Sequence, residues 1–484
     1  MSVFDSIQKH IVAPSNRSSE GNLWSYRDGN PQIRFQISGE EMVYLMTGTL
    51  RLNYELKIGT AVATTVDPSG IVSPNNDQKR TGLGSAAENI TLDSKVGALS
   101  VIESIQVTNN RNLVLEDIKN YNRMVSAVAK TNEFDNFTTN IMCEMAATGN
   151  DQSMQVMSNS RMWVNTKLLC GIFMEGLPLP MGPAQYGTGG LNLVINLAPT
   201  PNALYGADAG GSNVSYKIYN PTLSFSTAIP RGKILPKIKQ QPFSSVSTYY
   251  DVLTSSDQTT MIKTGLTGVV SVQTNFVPTQ HIANAVENGL ATPPLLNKGT
   301  GTTYDTVAPI TRVTYMKGGV QFPNKFATDE SNIVSVAAGG TFVTRNPTLL
   351  QREFLGASKI LSNLTRTLGS PATEAAPGSA DVAAYSTTSV SGGGAFTGVQ
   401  REIRLRNLGF TRGTLTTGAL NNVLAGIGMR CDKLGAGLGS DYSKAPLSFR
   451  VESKLDGQSP NSMYTFVLSK QNLLYGSGTI MVKS

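Results

Sequence analysis

The sequence predicts an all-β protein of two tandem domains, and three observations carry that expectation. Only 15% of the residues are charged, while 47 glycines and 23 prolines break the chain at short intervals. That composition suits short strands joined by tight turns, not helices with charged outer faces. Leu50, Leu52, Tyr54, Leu56 and Ile58 alternate with Arg51, Asn53, Glu55 and Lys57, the period-two pattern of a strand with one buried face. Finally, 484 residues exceed what one hydrophobic core usually holds, so the chain divides into domains that each bury their own.

Residues 1–40 are mixed and polar and read as an N-terminal arm. A first β domain then spans 41–230. Its clearest strand is 50–58, followed by a Pro/Asn/Gly-rich loop at 67–85 and a strand at 98–107. Leu115, Ile118, Tyr121, Met124, Val125 and Val128 recur at helical spacing, which predicts a short interrupting helix over 115–130. Strands return at 191–197 and 216–230. Pro230, Pro236 and Pro242 with three lysines make 231–243 a linker.

The second domain, 244–484, repeats the pattern with strands at 259–263, 268–277 and 311–316. A helix is expected over 346–364, with Asn346 as its cap and Pro347 at its first position. The Ala/Ser/Gly/Thr-rich stretch 367–398 is too long for an ordinary connection and reads as a surface loop. Strands resume at 402–408, 447–455, 464–468 and 479–483. Aligning 98–106 with 265–273 matches Leu99 with Leu266, Ser104 with Ser271 and Gln106 with Gln273, a faint internal repeat.

Catalytic chemistry finds little support. With only His10 and His281 in the chain, a His-dependent triad or multi-His metal site has too few members. Cys143, Cys170 and Cys431 are odd in number and widely spaced, which argues against a disulfide framework and a zinc site and fits a reducing compartment. The acidic pair Glu116/Asp117 falls in the first turn of the expected helix, where it suits capping or interface work. GTGTT at 299–303 and GAGLGS at 435–440 lack the Lys-Ser/Thr of a phosphate loop and read as turns. The net charge of +7 is a mild bias with no dense basic run. The N-terminus lacks a signal-peptide apolar core, and no stretch is long and apolar enough to span a membrane. No catalytic, cofactor-binding or metal-binding residue is expected.

One segment carries a specific resemblance. GALSVIESIQVTNNRNLVLEDIKNYN (97–122) resembles a signature of the double jelly-roll major capsid proteins of polinton-like viruses and virophages, in the wider adenovirus/tectivirus-type lineage. There a strand leads through a short turn to a helix of the form LLExIxxYN. Leu99, Ile102, Ile105 and Val107 match the strand, and Leu115, Glu116, Ile118, Tyr121 and Asn122 match the helix. Further similarities keep family order. PLPMGPAQYGTGGLNLVINL (178–197) is similar to the end of the first jelly roll. The stretch 249–278, with Phe276 and Pro278, is similar to the start of the second. GGVQFP (318–323), with Gly318, Gly319 and Pro323, is similar to a family turn. Val277 and Phe322 replace an Arg and a Tyr usual in the family and so lose two polar handles.

The resemblance implies two tandem eight-stranded β jelly rolls with short interrupting helices, standing perpendicular to a shell. It implies a non-enzymatic major capsid protein without cofactors. Homotrimers would form pseudo-hexameric capsomers that tile an icosahedral capsid around a double-stranded DNA genome. The implied partners are the chain itself, penton or vertex proteins, minor capsid proteins and, through weak non-specific contact, packaged DNA; an internal membrane is left open. The arm, with Lys9 and Arg17, would face inward or clasp a neighbour, and the loops at 67–85 and 367–398 would form outer towers or trimer contacts. Two other readings compete. A sugar-binding β-sandwich has only Trp24 and Trp163 to line its site, and a β-rich hydrolase would have to depend on His281.

Overall fold

In a computed structural model of the chain, the described residues are chiefly 4–16, 22–26, 29–39, 43–60, 97–131, 162–174, 178–182, 189–203, 214–230, 240–262, 265–279, 310–321, 426–431, 439–453, 461–476 and 479–483. Sixteen strands define the architecture. The first eight are β1 (Phe4–Val12), β2 (Gln32–Ser38), β3 (Tyr44–Thr60), β4 (Ile102–Asn109), β5 (Val114–Ile118), β6 (Met162–Thr166), β7 (Gly190–Leu197) and β8 (Val214–Pro230). The second eight are β9 (Gln240–Leu253), β10 (Asp257–Ile262), β11 (Val269–Pro278), β12 (Ile310–Lys317), β13 (Val320–Gln321), β14 (Gly426–Arg430), β15 (Leu447–Ser453) and β16 (Asn461–Gly476). A further strand, β17 (Thr479–Lys483), pairs with β16. Among the described residues, three helices belong to the first half, α1 (Tyr121–Thr131) and the single turns α2 (Gly171–Met174) and α3 (Thr200–Ala203).

The pairing order is the same in both halves. In the first, sheets β1-β8-β3-β6 and β2-β7-β4-β5 form; in the second, β9-β16-β11-β14 and β10-β15-β12-β13. Adding eight to every strand of the first half reproduces the second. Each half is therefore a jelly roll, two packed antiparallel sheets between which the chain passes at every step except one hairpin, β4–β5 in the first half and β12–β13 in the second.

The alternation at 50–58 works as expected: Leu50, Leu52, Tyr54 and Leu56 on β3 are buried, each apolar side chain contributing about 1.5–3 kcal/mol. They meet Leu223 of β8 on one side and Val164 of β6 on the other. The buried Tyr54 hydroxyl donates to the Ala98 carbonyl at 2.8 Å. In the second half, Val272, Phe276, Phe449, Val451, Met463 and Val467 fill the equivalent space. The opposite face of the β9-β16-β11-β14 sheet is also buried: Val246, Tyr464, Phe466 and Leu468 belong to the core cluster of the first half. The two jelly rolls thus share an apolar seam.

Several sequence expectations change. Residues 1–40 are not an arm: Phe4–Val12 pairs along β8, and Gln32–Ser38 pairs along β7. The first jelly roll begins at Phe4 instead of 41. β1 hid as an edge strand because its inward face carries His10 and Val12 while Ile7 and Ile11 point outward, which inverts the usual pattern. The helix expected over 115–130 is a strand and a helix. Leu115 and Ile118 lie on β5, and Asn120, in the left-handed region at φ 49°, turns the chain into α1. The strand expected from 98 begins at Ile102, after a 3-10 turn over Gly97–Val101.

The faint repeat pairs the wrong strands. Residues 98–106 run into β4, whereas 265–273 run into β11, whose true counterpart is β3. Of the linker 231–243, residues 240–243 already belong to β9 and the rest lie outside the described residues. Glu353, Ala357 and Leu361 are helical within the expected 346–364 helix. The loop 367–398, nearly all of 67–85 and the strand 402–408 lie outside the described residues, as do Arg17, Cys143, His281, Phe322 and Pro323.

Candidate functional site: the seam between the jelly rolls

The residues singled out in 115–122 gather at one place. Glu116 sits on β5 with its side chain buried against α2 and β9. Its carboxylate accepts hydrogen bonds from the Cys170 thiol at 2.8 Å and from the Gly171 and Ile172 amides, both at 3.1 Å. The Ser245 side chain of β9 also hydrogen-bonds to it. The first-turn amides of α2 lack partners within the helix, and the carboxylate satisfies them. One side chain thereby joins a strand and a helical turn of the first jelly roll to the first strand of the second. Burial pushes the Glu116 carboxyl above its ordinary range, against the hydrogen bonds, which favour the charged form. Burial, reinforced by the neighbouring Glu116 charge, pushes the Cys170 thiol well up as well.

Tyr121 opens α1, and its buried hydroxyl accepts from the Leu169 amide at 2.6 Å. Asn122 donates from Nδ2 to the Ser100 carbonyl at 3.1 Å and so ties α1 to the turn before β4. Leu115 and Ile118 are plain core residues. The local geometry also demands a glycine. A Cβ at Gly171 would lie 1.7 Å from the Ser244 carbonyl oxygen, so no larger residue permits this approach of α2 to β9.

Arg123 was not foreseen by the sequence reading. It is buried on α1 with its guanidinium 5.3 Å from the centre of the Tyr464 ring, across the seam. Neither Nη1 nor Nη2 has a hydrogen-bond partner among the described residues. Burial pulls its pKa down, opposed by Tyr464, Glu103 and Tyr250. Glu103, on β4, is held above the ordinary carboxylate range by burial although the Arg123 charge draws it back. An Arg three residues into an apolar helical pattern was the available signal.

The remaining positions are elsewhere. Phe276 fills the core of the second jelly roll, and Pro278 ends β11 opposite Asn461. Gly318 and Gly319 form the two-residue turn between β12 and β13, with φ of 59° and 83°, a turn that needs positive φ at both positions. The structure thus brings together Glu116, Tyr121 and Asn122, but not the second-half residues. His10 stacks on Phe225 with ring centres 5.3 Å apart, and its Nε2 lies 2.7 Å from the Thr227 hydroxyl. Among the described residues, no three His, Cys, Asp or Glu come together to hold a metal, and no helix is long and apolar enough to cross a membrane.

This arrangement defines a double jelly-roll protein with a hydrogen-bonded seam. One solved structure supports that fold, and two others are similar at lower scores. A chain of the Sputnik virophage, from electron cryo-microscopy, superimposes with a TM-score of 0.50 at 10% identity, covering 100% of this chain and 89% of that one. The Faustovirus major capsid protein aligns at TM-score 0.49 and 9% identity, covering 97% and 90% of the two chains. The mavirus major capsid protein aligns at 0.44 and 9%, covering 98% and 90%. The fold likeness rests on the first of these. No protein-family model and no curated protein matches the sequence.

Proposed function

We propose that this chain is a major capsid protein, a non-enzymatic shell subunit that acts as a homotrimer. One observation carries the reading: a single chain holds two jelly rolls of identical strand order, fused through a buried seam. A subunit made of two similar barrels presents similar sides in two directions. Three such subunits around an axis offer six barrels, a pseudo-hexameric capsomer able to tile an icosahedral shell around double-stranded DNA. The seam supports a rigid block, because Glu116, Gly171 and the Tyr464–Leu468 surface fix one barrel on the other.

Vertex, penton and minor capsid proteins complete such a shell, which places the chain in the virion. The excess of 40 basic over 33 acidic residues suits weak, sequence-independent contact with packaged DNA. Electron microscopy of the purified full-length chain tests the proposal. Particles of hexagonal outline and closed shells are expected; two-lobed single subunits at every concentration would overturn it.

A further inference from the structure

The two jelly rolls are equivalent strand for strand, so an edge closed in one shows what is missing at the same edge of the other. β2 and β10 are the equivalent edge strands. Ile37 of β2 pairs with Leu191 and Ile262 of β10 with Leu447, and these partners pair in turn with Asn109 and Lys317, the last residues of β4 and β12. The hydrogen-bond phase is shared as well: the Leu197 amide donates to the Pro31 carbonyl and the Ser453 amide to the Ser256 carbonyl, both at 2.7 Å. Bonding alternates along an antiparallel pair. Gln32, Arg34 and Gln36 therefore turn their backbone groups away from the sheet in β2, as Asp257, Thr259 and Met261 do in β10.

In the first jelly roll the chain closes this edge itself. The Ser15 amide donates to the Arg34 carbonyl at 2.7 Å, the Arg34 amide to Asn16 Oδ1 at 2.8 Å, and Asn16 Nδ2 to the Gln32 carbonyl at 2.7 Å. Ser15 and Asn16 belong to the long connection 13–31, whereas β9 and β10 are joined by 254–256 alone. There the Ser255 hydroxyl takes the Asp257 carbonyl at 2.7 Å. Among the described residues, the amides and carbonyls of Thr259 and Met261 have no partner. β10 pairs with β15 without a register shift, its sequence DQTTMI holds no proline or lysine, and Met261 is 71% exposed. Strand edges left to water are normally blunted by such residues, by bulges or by a cover.

We infer that the β10 edge docks an extended segment of a different polypeptide, which joins the sheet as an added strand beside Thr259 and Met261. In each copy of this chain Ser15 and Asn16 are already held on β2, so the cap that β10 lacks comes from elsewhere. The fitting segment alternates, with a β-branched residue opposite Thr259 and an apolar residue opposite Met261 on the outward face. The edge is open in the single chain, so the site exists whether or not copies assemble.

The test presents the full chain to a displayed library of random short peptides. Binding of the selected peptides is then measured on the unmodified chain, Thr259→Pro and Met261→Lys. Thr259→Pro removes an amide that β15 does not use, and Met261→Lys alters an exposed side chain, so both are expected to keep the unfolding midpoint. Selected peptides are expected to show the alternation, to slow hydrogen exchange at the Thr259 and Met261 amides, and to bind each variant about tenfold more weakly. Peptides that bind both variants undiminished or protect another segment, or a library that yields no binder, would overturn the site. Slow exchange at these amides in the free chain would show the edge already covered and overturn it too. A fall in native mass on Thr259→Pro would put a second copy on the edge and overturn the assigned partner.

Discussion

The α-carbon of Gly171 approaches the carbonyl of Ser244 so closely that a methyl group there would lie 1.7 Å from the oxygen. The contact is between backbones of the two jelly rolls, neither of which can yield without moving its sheet. Gly171→Ala is therefore expected to loosen the seam at a cost of about 3 kcal/mol or more, at the upper end of single-substitution effects. Urea unfolding monitored by tryptophan fluorescence checks this, and a midpoint equal to that of the unmodified chain would refute it.

Glu116 should matter through its acceptor oxygens. Glu116→Ala leaves the Gly171 and Ile172 amides and the Ser245 side chain without that acceptor, at about 1–3 kcal/mol for each buried group left unpaired. Glu116→Gln keeps one acceptor oxygen and should fall between the two. Tyr121→Phe removes the acceptor for the Leu169 amide alone and should cost about 1–2 kcal/mol. The predicted order of stability is Tyr121→Phe, then Glu116→Gln, then Glu116→Ala, read from denaturation midpoints.

Glu103 gives the seam a pH dependence of defined sign. Its carboxyl is raised by burial, with Arg123 opposing, so the folded value lies above the unfolded one. Its contribution is fully present below the ordinary carboxylate range and is lost as pH rises through the raised value. Between about pH 4 and about pH 7, Glu103→Gln should therefore lose less stability than the unmodified chain. Thermal unfolding of both proteins across that range measures it; parallel curves would show that Glu103 is not coupled to folding.

Removing residues 1–16 deletes β1, which lies along β8 from Phe4 to Val12. That truncation should expose the β8 edge, lower the unfolding midpoint and promote aggregation. A truncated chain as stable and soluble as the full one would mean that β1 is not an integral strand.

The parts of the fold legible in the sequence are those where one face is apolar and the other polar. β3 declared itself through Leu50 to Leu56, and β7, β8, β11 and β15 through similar runs. β1 did not, because Ile7 and Ile11 lie on its uncovered face. The β5–α1 junction was misread because Leu115, Ile118 and Tyr121 satisfy a helical period, while the single left-handed Asn120 that separates strand from helix leaves no periodic trace. The duplication was legible in outline but its strand correspondence was not: strand order depends on long-range pairing, and the faint match around Ser104 and Ser271 joined strands with different places in the jelly roll. Glu116, Tyr121 and Asn122 were legible as a motif, but their role was not. The partners of Glu116 and Tyr121, at Leu169, Cys170, Gly171 and Ser245, lie far along the chain.

The central claim is that the two fused jelly rolls act as one third of a ring. Light scattering coupled to size exclusion on the purified full-length protein tests it most directly. The account predicts a stable species of three chains that does not shrink on dilution. A single-chain mass that persists at high concentration would contradict it.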